Sequence, residues 1–177
     1  DIDKDGDLDI VGILNWDSGP TWIYRNNAAG PPTLDYWFYK EVSAAHERTF
    51  SLCFPDVNGD GNKDIASGPF VYLNPGAPLT GDWTQIPLPG DAHAFATLDV
   101  DGDNLADLIA QKATPGAGHI DIYWVEAANA GGTSWSTPIL IGDVPRGNEP
   151  EGFQGYAVAQ IVAGGRPEII VNSPQGL

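Results

Sequence analysis

The chain has 177 residues, which is enough for one domain with a sizeable core. Its formal net charge is −16 with only 8 lysines and arginines, so no basic stripe exists and a nucleic-acid partner is excluded. Gly and Pro number 22 and 15 and aromatic residues make up 10%, a composition typical of an all-β chain with many turns.

A membrane-spanning segment and an intrachain disulfide are also excluded. No apolar run approaches the ~18 residues that a membrane span needs. Cys53 is the only cysteine, so it cannot form an intrachain disulfide, and its apolar and aromatic neighbours predict a small buried thiol. The sequence has no methionine and no signal peptide, and we interpret it as a processed or truncated piece of a longer secreted protein.

The chain opens on an acidic loop, Asp1–Asp9, which recurs as Asp56–Asp64 and as Asp99–Asp107. In each loop, side chains that carry oxygen occupy positions one, three, five and nine. Position six is glycine in the first two loops and Asn104 in the third, and asparagine tolerates a left-handed backbone better than most residues. A tight loop with this spacing can surround one hard cation, and Ca²⁺ takes about 6–8 oxygens at roughly 2.3–2.6 Å.

The predicted calcium ligands are the side chains at positions one, three, five and nine and the carbonyl at position seven. They are Asp1, Asp3, Asp5, Asp7 and Asp9; Asp56, Asn58, Asp60, Asn62 and Asp64; and Asp99, Asp101, Asp103, Leu105 and Asp107. We expect Asp64 to bind in a bidentate manner. The loops hold 12 of the 24 acidic residues, so three Ca²⁺ would bring the net charge to about −10. A fourth, degenerate copy runs from Gln160 to Glu168, and we expect no metal there.

Each loop leads into an apolar strand, and the loops start at residues 1, 56, 99 and 160. Repeats of about 40–50 residues with four strands each are typical of β-propellers. The third unit shows the order most clearly, and its predicted strands A to D are Phe95–Leu98, Leu108–Ala110, His119–Val125 and Trp135–Ile141.

The loops are not EF-hands, which require a bidentate glutamate at position twelve. Here position twelve is Gly12, Ser67 or Ala110. A nine-residue acidic loop that opens into a strand instead resembles the FG-GAP/VCBS repeat family. The resemblance implies an all-β fold of four-stranded antiparallel β-propeller blades with Ca²⁺ in the A–B loops, as in integrin heads, fungal lectins and propeller domains of sugar-active enzymes.

The resemblance covers the whole chain and divides it into repeat units of approximately 1–48, 49–91, 92–152 and 153–177. About three and a half blades are present, so 1–177 would be a single partial β-propeller. Such a chain is either part of a larger propeller or a subunit that self-assembles with further copies to complete one.

The resemblance also implies that a ligand binds on the B–C and D–A connections, opposite the calcium loops. The residues expected there are Trp16, His46, Arg48, His93 and Glu151. The ring of Trp16 could stack on a sugar, and Arg48 could hold a carboxylate of an acidic glycan. The alternatives are that Trp16 plugs the neighbouring blade and that the others are ordinary polar loop residues.

No catalytic motif such as Gly-x-Ser-x-Gly or His-Glu-x-x-His is present. One hypothesis is a calcium-binding extracellular module, secreted or at the cell surface, that recognises a glycan or an extracellular protein. The other is the propeller portion of a sugar-active lyase or dehydratase. Its funnel would hold a site formed by His46 or His93 with Glu149 or Glu151.

Overall fold

The structure is a computed structural model that describes residues 1–13, 20–26, 37–44, 51–77, 79–113, 117–145 and 155–172. Within these ranges the regular structure consists of β-strands and one short 3₁₀ turn at Pro89–Asp91. The predicted all-β class is confirmed. No helix in the described ranges is long and apolar enough to cross a membrane.

The strands form four antiparallel sheets in which strands that follow one another in the chain are neighbours. Sheet 1 consists of β1 (Ile10–Gly12), β2 (Thr21–Asn26) and β3 (Trp37–Ser43). Sheet 2 consists of β4 (Leu52–Cys53), β5 (Ile65–Ser67), β6 (Phe70–Leu73) and β7 (Thr84–Pro87). Sheet 3 consists of β8 (His93–Leu98), β9 (Asp107–Ala113), β10 (His119–Val125) and β11 (Ile139–Pro145). Sheet 4 consists of β12 (Tyr156–Ala159) and β13 (Glu168–Val171).

In sheets 2 and 3, strands β5 and β9 are buried on both faces because apolar side chains point to either side of them. Leu108 and Ile109 are adjacent on β9, and both are fully buried. Leu108 packs in a cluster with Ala66 of sheet 2, whereas Ile109 packs in a cluster with Ile169 of sheet 4. On β5, Ile65 likewise contacts the side of sheet 1. Burial on both faces is what a blade between two other blades requires.

The first strands of sheets 2, 3 and 4 converge on one line. Strand β8 packs against both β4 and β12. The Tyr156 hydroxyl at the start of β12 donates a hydrogen bond of 2.6 Å to the Leu52 carbonyl on β4, and the Tyr156 ring meets that of Phe95 at 5.2 Å. Because sheets 2 and 4 are separated by sheet 3, these contacts require the sheets to fan out from a common line, as propeller blades do.

Strand β11 begins at Ile139, so the predicted start of this strand at Trp135 is wrong. Trp135 instead forms an isolated bridge with Ala127 in the connection after β10. Pro138 lies between the two pairings, and it has no N–H to donate to a ladder. Trp135 still packs against the cluster between sheets 2 and 3, as expected for a residue involved in blade packing.

Cys53 is buried in the same cluster, which confirms the prediction of a buried thiol. Burial raises the pKa of its thiol to about 12. A thiol with so high a pKa stays protonated at neutral pH and is inert as a nucleophile.

Candidate metal-binding loops

The three acidic loops share one backbone shape. Their chain direction turns at positions four and six, where the backbone is left-handed. The residues with this conformation at position four are Lys4, Gly59 and Gly102, with φ of 62°, 68° and 88°, and those at position six are Gly6, Gly61 and Asn104, with φ of 97°, 81° and 70°. The expectation that Asn104 can replace glycine is therefore confirmed for the backbone.

Side-chain oxygens near the start of each loop accept hydrogen bonds from backbone N–H groups further along it. In the third loop, the two oxygens of Asp99 accept from Gly102 and Asn104 at 2.7 and 3.1 Å. Asp101 accepts from Asp103 at 3.0 Å, and the first and second loops contain bonds of the same kind. These bonds wrap the backbone around its own carboxylates and hold those side chains in place.

The aspartate at position nine ties each loop to the strand behind it. Asp64 is fully buried, and its two oxygens accept the N–H groups of Val57 and Asn74, both at 2.8 Å. Asp9 and Asp107 also accept two N–H groups each. One comes from the second residue of the loop, and the other from a residue at or just after the end of the second strand that follows the loop, namely Asn26 at the end of β2 and Ala127 shortly after β10. The position-nine aspartate therefore fixes the position of the loop relative to its sheet.

Two of the loops bring three carboxylates together. Oxygens of Asp1, Asp3 and Asp9 all lie within 4.8 Å of one another, and so do those of Asp99, Asp101 and Asp107. Two oxygens that bind the same Ca²⁺ are at most about 5 Å apart, because each Ca–O distance is about 2.3–2.6 Å. The spacing of both triads therefore fits a single calcium shell.

Asp3 shows the electrostatic cost of such a cluster. Burial raises the pKa of its carboxyl, and the carboxylates of Asp5 and Asp9 raise it further, although the ion pair with Arg25 at 3.7 Å opposes them. A bound divalent cation would remove this repulsion, because it is the largest charge in such a site.

The central loop differs because Asn58 stands at position three, and no carboxylate triad of this kind is found there among the described residues. Asp64 has a pKa raised to about 6, chiefly by its burial and further by Asp60 and Asp56. Both Asp64 oxygens already accept an N–H group, but each retains a second lone pair. Bidentate binding by Asp64 stays a prediction.

The degenerate fourth loop keeps the position-nine bond but has no oxygen-bearing acid at positions one, three and five. Glu168 accepts the N–H of Ile161 at 2.8 Å, as the aspartates do in the other loops. The side-chain amide of Gln160 donates to the carbonyls of Val162 and Gly164 within the loop. An amide donor therefore stands where the other loops have a carboxylate. That this loop binds no metal remains a prediction.

Basic side chains from neighbouring loops approach two of the acidic loops. A Cβ placed on Gly61 would lie 2.9 Å from Lys4 Nζ, and one placed on Gly102 would lie 2.9 Å from the Arg166 guanidinium. The first loop therefore adjoins the second, and the fourth adjoins the third. Each basic group lowers the local excess of negative charge beside a candidate cation site.

Most of the predicted ligand surface lies outside the described residues, namely Trp16, His46, Arg48 and Glu151. His93 is described and is half-buried, with Nε2 3.6 Å from Asp91 Oδ1. It begins β8, whereas the loop that starts at Asp99 follows the other end of that strand. His93 is thus at the end of sheet 3 opposite the acidic loop Asp99–Asp107.

The sequence interpretation missed Asn74, which holds the first two loops together. Its buried side-chain amide donates to the carbonyls of Ile2 and Lys63 at 3.0 and 2.9 Å, and its backbone N–H bonds to Asp64. A signal was available, because Asn26 has the same place in the first unit and also donates its N–H to the position-nine aspartate. Asn26 lies two residues after Tyr24, and Asn74 lies two residues after Tyr72. Each tyrosine pairs with the residue that directly follows position nine of its loop.

Comparison with protein families supports the interpretation of the first two acidic loops. Residues 1–67 match the model of the FG-GAP-like repeat, which confirms the resemblance over that range. The range contains the first two acidic loops and strands β1 to β5. Searches of curated proteins and of solved structures each found no match.

Proposed function

We propose that this protein is a calcium-binding module of the extracellular β-propeller type, and that it recognises a glycan or an extracellular protein. The observation that carries the proposal is the pair of carboxylate triads in repeated loops, the first within an FG-GAP-like repeat. The predicted ligands of the three loops are those of hard-cation chemistry, since every one is an oxygen and none is histidine or cysteine. Such sets suit Ca²⁺, whereas Zn²⁺ prefers nitrogen and sulfur.

Calcium would act in this protein as a structural ion. Each bound ion would neutralise carboxylates that otherwise repel one another. Because the position-nine aspartate is also hydrogen-bonded to the sheet, ion binding would stabilise the sheet as well as the loop. Binding and folding are coupled in such an arrangement. Sites of extracellular modules have dissociation constants of about 10⁻⁴–10⁻³ M, which suffice only where calcium is millimolar. The support for a secreted or cell-surface location is the FG-GAP-like repeat over residues 1–67, a repeat type that also occurs in integrin heads and fungal lectins.

Calorimetric titration of chelator-treated protein with Ca²⁺ tests the metal sites, with Mg²⁺ as the comparison ion. We expect three Ca²⁺ per chain. Asp60→Ala should remove one site, whereas Lys63→Ala, the matched variant in the same loop, should retain all three because the exposed Lys63 side chain supplies no ligand. Absence of calcium binding at Asp56–Asp64 would refute the proposal for the central loop, and absence at every loop would refute it altogether.

Recognition of a glycan is tested through Trp16. On a glycan array, Trp16→Ala should abolish retention while leaving the calcium dependence of melting unchanged. Loss of both properties together would show that the ring is structural and that the ligand surface lies elsewhere. Retention of the variant on the array would exclude the ring from the binding surface.

A second candidate function is that of a propeller in a sugar-active lyase or dehydratase. It is favoured by one observation, the proximity of His93 to Asp91 at the end of sheet 3 opposite the calcium loop. Metal analysis after mild chelation separates the two functions. A residual zinc that His93→Ala or His46→Ala removes would favour the enzyme, and a protein free of such a metal would favour the binding module.

A further inference from the structure

One side-chain amide lies between the first two acidic loops, and both its nitrogen and its oxygen form hydrogen bonds. Asn74 is buried, and its Nδ2 donates to the carbonyl oxygens of Ile2 at 3.0 Å and of Lys63 at 2.9 Å. Its Oδ1 accepts the N–H of Gly76 at 2.8 Å. These bonds fix which end of the amide is the donor. A shift of either carbonyl would therefore disturb the same amide group.

The two carbonyls belong to residues that lie between predicted metal ligands. In the first loop, Ile2 stands between Asp1 and Asp3, and its N–H donates to Asp9 at 2.7 Å. It is thus adjacent or hydrogen-bonded to all three members of the first carboxylate triad. In the second loop, Lys63 stands between the predicted ligands at positions seven and nine. The amide therefore contacts both loops where their ligands are attached.

Asn74 also bonds directly to one predicted ligand, because its backbone N–H donates to Asp64 Oδ1 at 2.8 Å. A cation in either loop would fix the ligands beside one of the two carbonyls and would thereby order the Asn74 amide. The other loop would then lose less conformational entropy when it binds its own cation. Such coupling is reciprocal, so each ion raises the affinity for the other by the same factor.

The second loop meets the third unit through a contact of a different kind. In that unit Ala127 has the corresponding backbone role, since its N–H donates to Asp107 at 2.9 Å, but its methyl side chain has no donor. The fully buried side chain of Val57, at position two of the second loop, packs against Gly132, where an added Cβ would overlap it. This contact is apolar and does not hold a carbonyl in one direction. The third loop is therefore an internal control.

A charge also connects the first two loops. Lys4 belongs to the first loop, and its Nζ would lie 2.9 Å from a Cβ placed on Gly61 of the second. The same ammonium helps to lower the pKa of Asp60. It should weaken cation binding to the second loop by repulsion. The effect of this charge has to be separated from that of the Asn74 amide.

We propose that Asn74 couples cation binding at the first two acidic loops, so that Ca²⁺ in either one raises the affinity of the other, and that the third loop binds independently of the first. Asn74 is a positioning residue in this scheme, since it acts through the two peptides and Asp64. The inference rests on the calcium sites proposed above. Three ions that bind independently would refute the coupling alone, whereas absence of any bound ion would refute the sites as well.

The test is a Ca²⁺ titration of chelator-treated protein by NMR, in which the backbone amide of Gly6 reports binding to the first loop. Asp60→Ala disables the second loop, and Asp103→Ala, the matched variant at position five, disables the third. Asp60→Ala should weaken binding to the first loop at least about fivefold, and Asp103→Ala should leave it unchanged. Equal effects of the two variants, or no effect of Asp60→Ala, would overturn the proposal.

Two further backgrounds identify the group that carries the coupling. In Asn74→Ala, the added Asp60→Ala change should no longer alter binding to the first loop, which a loss of stability alone would not produce. In Lys4→Gln, the second loop should bind more tightly at its Gly61 reporter, and the effect of Asp60→Ala on the first loop should persist. Coupling that survives in Asn74→Ala or vanishes in Lys4→Gln would overturn the role of Asn74. The comparison of Asp60→Ala with Asp103→Ala needs no change at Asn74, so it decides the coupling even if Asn74→Ala does not fold.

Discussion

Without calcium, the protein should become less stable as the pH rises from about 4 to about 6, and Asp64 should be a main cause. The pKa of this buried carboxyl is raised from 3.8 to about 6, chiefly by its burial. The folded protein therefore holds the Asp64 proton more tightly than the unfolded chain does. The contribution of this group to stability is most favourable below the unfolded value of 3.8 and is lost as the pH rises through about 6.

The size of the effect follows from the shift. One pKa unit corresponds to about 1.36 kcal/mol, so the whole shift is worth about 3 kcal/mol. The Asp64 carboxyl of the unfolded chain is already about half ionised at pH 4, so about 2 kcal/mol of the free energy of unfolding is lost between pH 4 and pH 7. Bound calcium should reverse the trend, because the ion binds the ionised carboxylate. At a hundredfold excess over its dissociation constant, one Ca²⁺ adds about 2.7 kcal/mol at neutral pH. This increment should shrink at pH 4.

Urea unfolding at pH 4, 5, 6 and 7, with chelator and with excess Ca²⁺, measures both quantities. Asp64→Asn should reduce the loss of stability between pH 4 and pH 7 in chelator by about 2 kcal/mol. The matched variant is Asp60→Asn in the same loop. Burial alone would raise the pKa of Asp60, but hydrogen bonds from Asn62 and Asn58 and the nearby Lys4 lower it. Its contribution is therefore present above the unfolded value and lost as the pH falls.

The two variants should thus change the pH dependence in opposite directions. An unchanged pH dependence in Asp64→Asn would refute the reasoning, because it would show that burial does not raise the pKa of Asp64 in the folded protein. A calcium increment that is as large at pH 4 as at pH 7 would contradict the link between the metal and the ionised carboxylates.

Three further outcomes are expected in chelator-treated urea unfolding. Asn74→Ala should cost about 3 kcal/mol because two backbone carbonyls lose their donor, whereas Asn129→Ala, at an exposed side chain that bonds to a threonine, should cost less than about 1 kcal/mol. Equal costs would show that the Asn74 bonds do not hold the loops together. Asn104→Ala should cost about 1–2 kcal/mol at φ 70°, and Asn104→Gly should not; a tolerated alanine would contradict the left-handed geometry. Leu108→Ala should cost about 2–5 kcal/mol as a fully buried residue, and Leu8→Ala, at a residue 77% exposed, should change stability by less than about 0.5 kcal/mol. A small effect at Leu108 would argue against tight packing between sheets 2 and 3.

The candidate metal loops were predictable because their chemistry is local. The oxygens, the turn at position six and the strand that follows all lie within a few residues of one another. The substitution of Asn104 for glycine could be judged from backbone sterics alone, and its φ of 70° agrees. Leu108 and Ile109 lie on opposite faces of β9, in agreement with the alternation of side chains along a strand.

The start of β11 was predicted four residues too early. The isolated pairing of Trp135 with Ala127 depends on the length of the connection after β10. The length of this connection could not be predicted from the sequence, because residues 126–138 have no regular alternation of apolar and polar residues. Strand boundaries are set by which backbone groups meet across the sheet.

The sequence by itself determined the repeat, the acidic loops and the all-β class, because these depend on spacing over a few residues. Only the tertiary structure decided which loops form carboxylate triads, how Asn74 joins the first two loops, and that the Tyr156 hydroxyl reaches the Leu52 carbonyl. The physical reason is that these features join atoms far apart in the chain, and their distances depend on the register and packing of whole sheets.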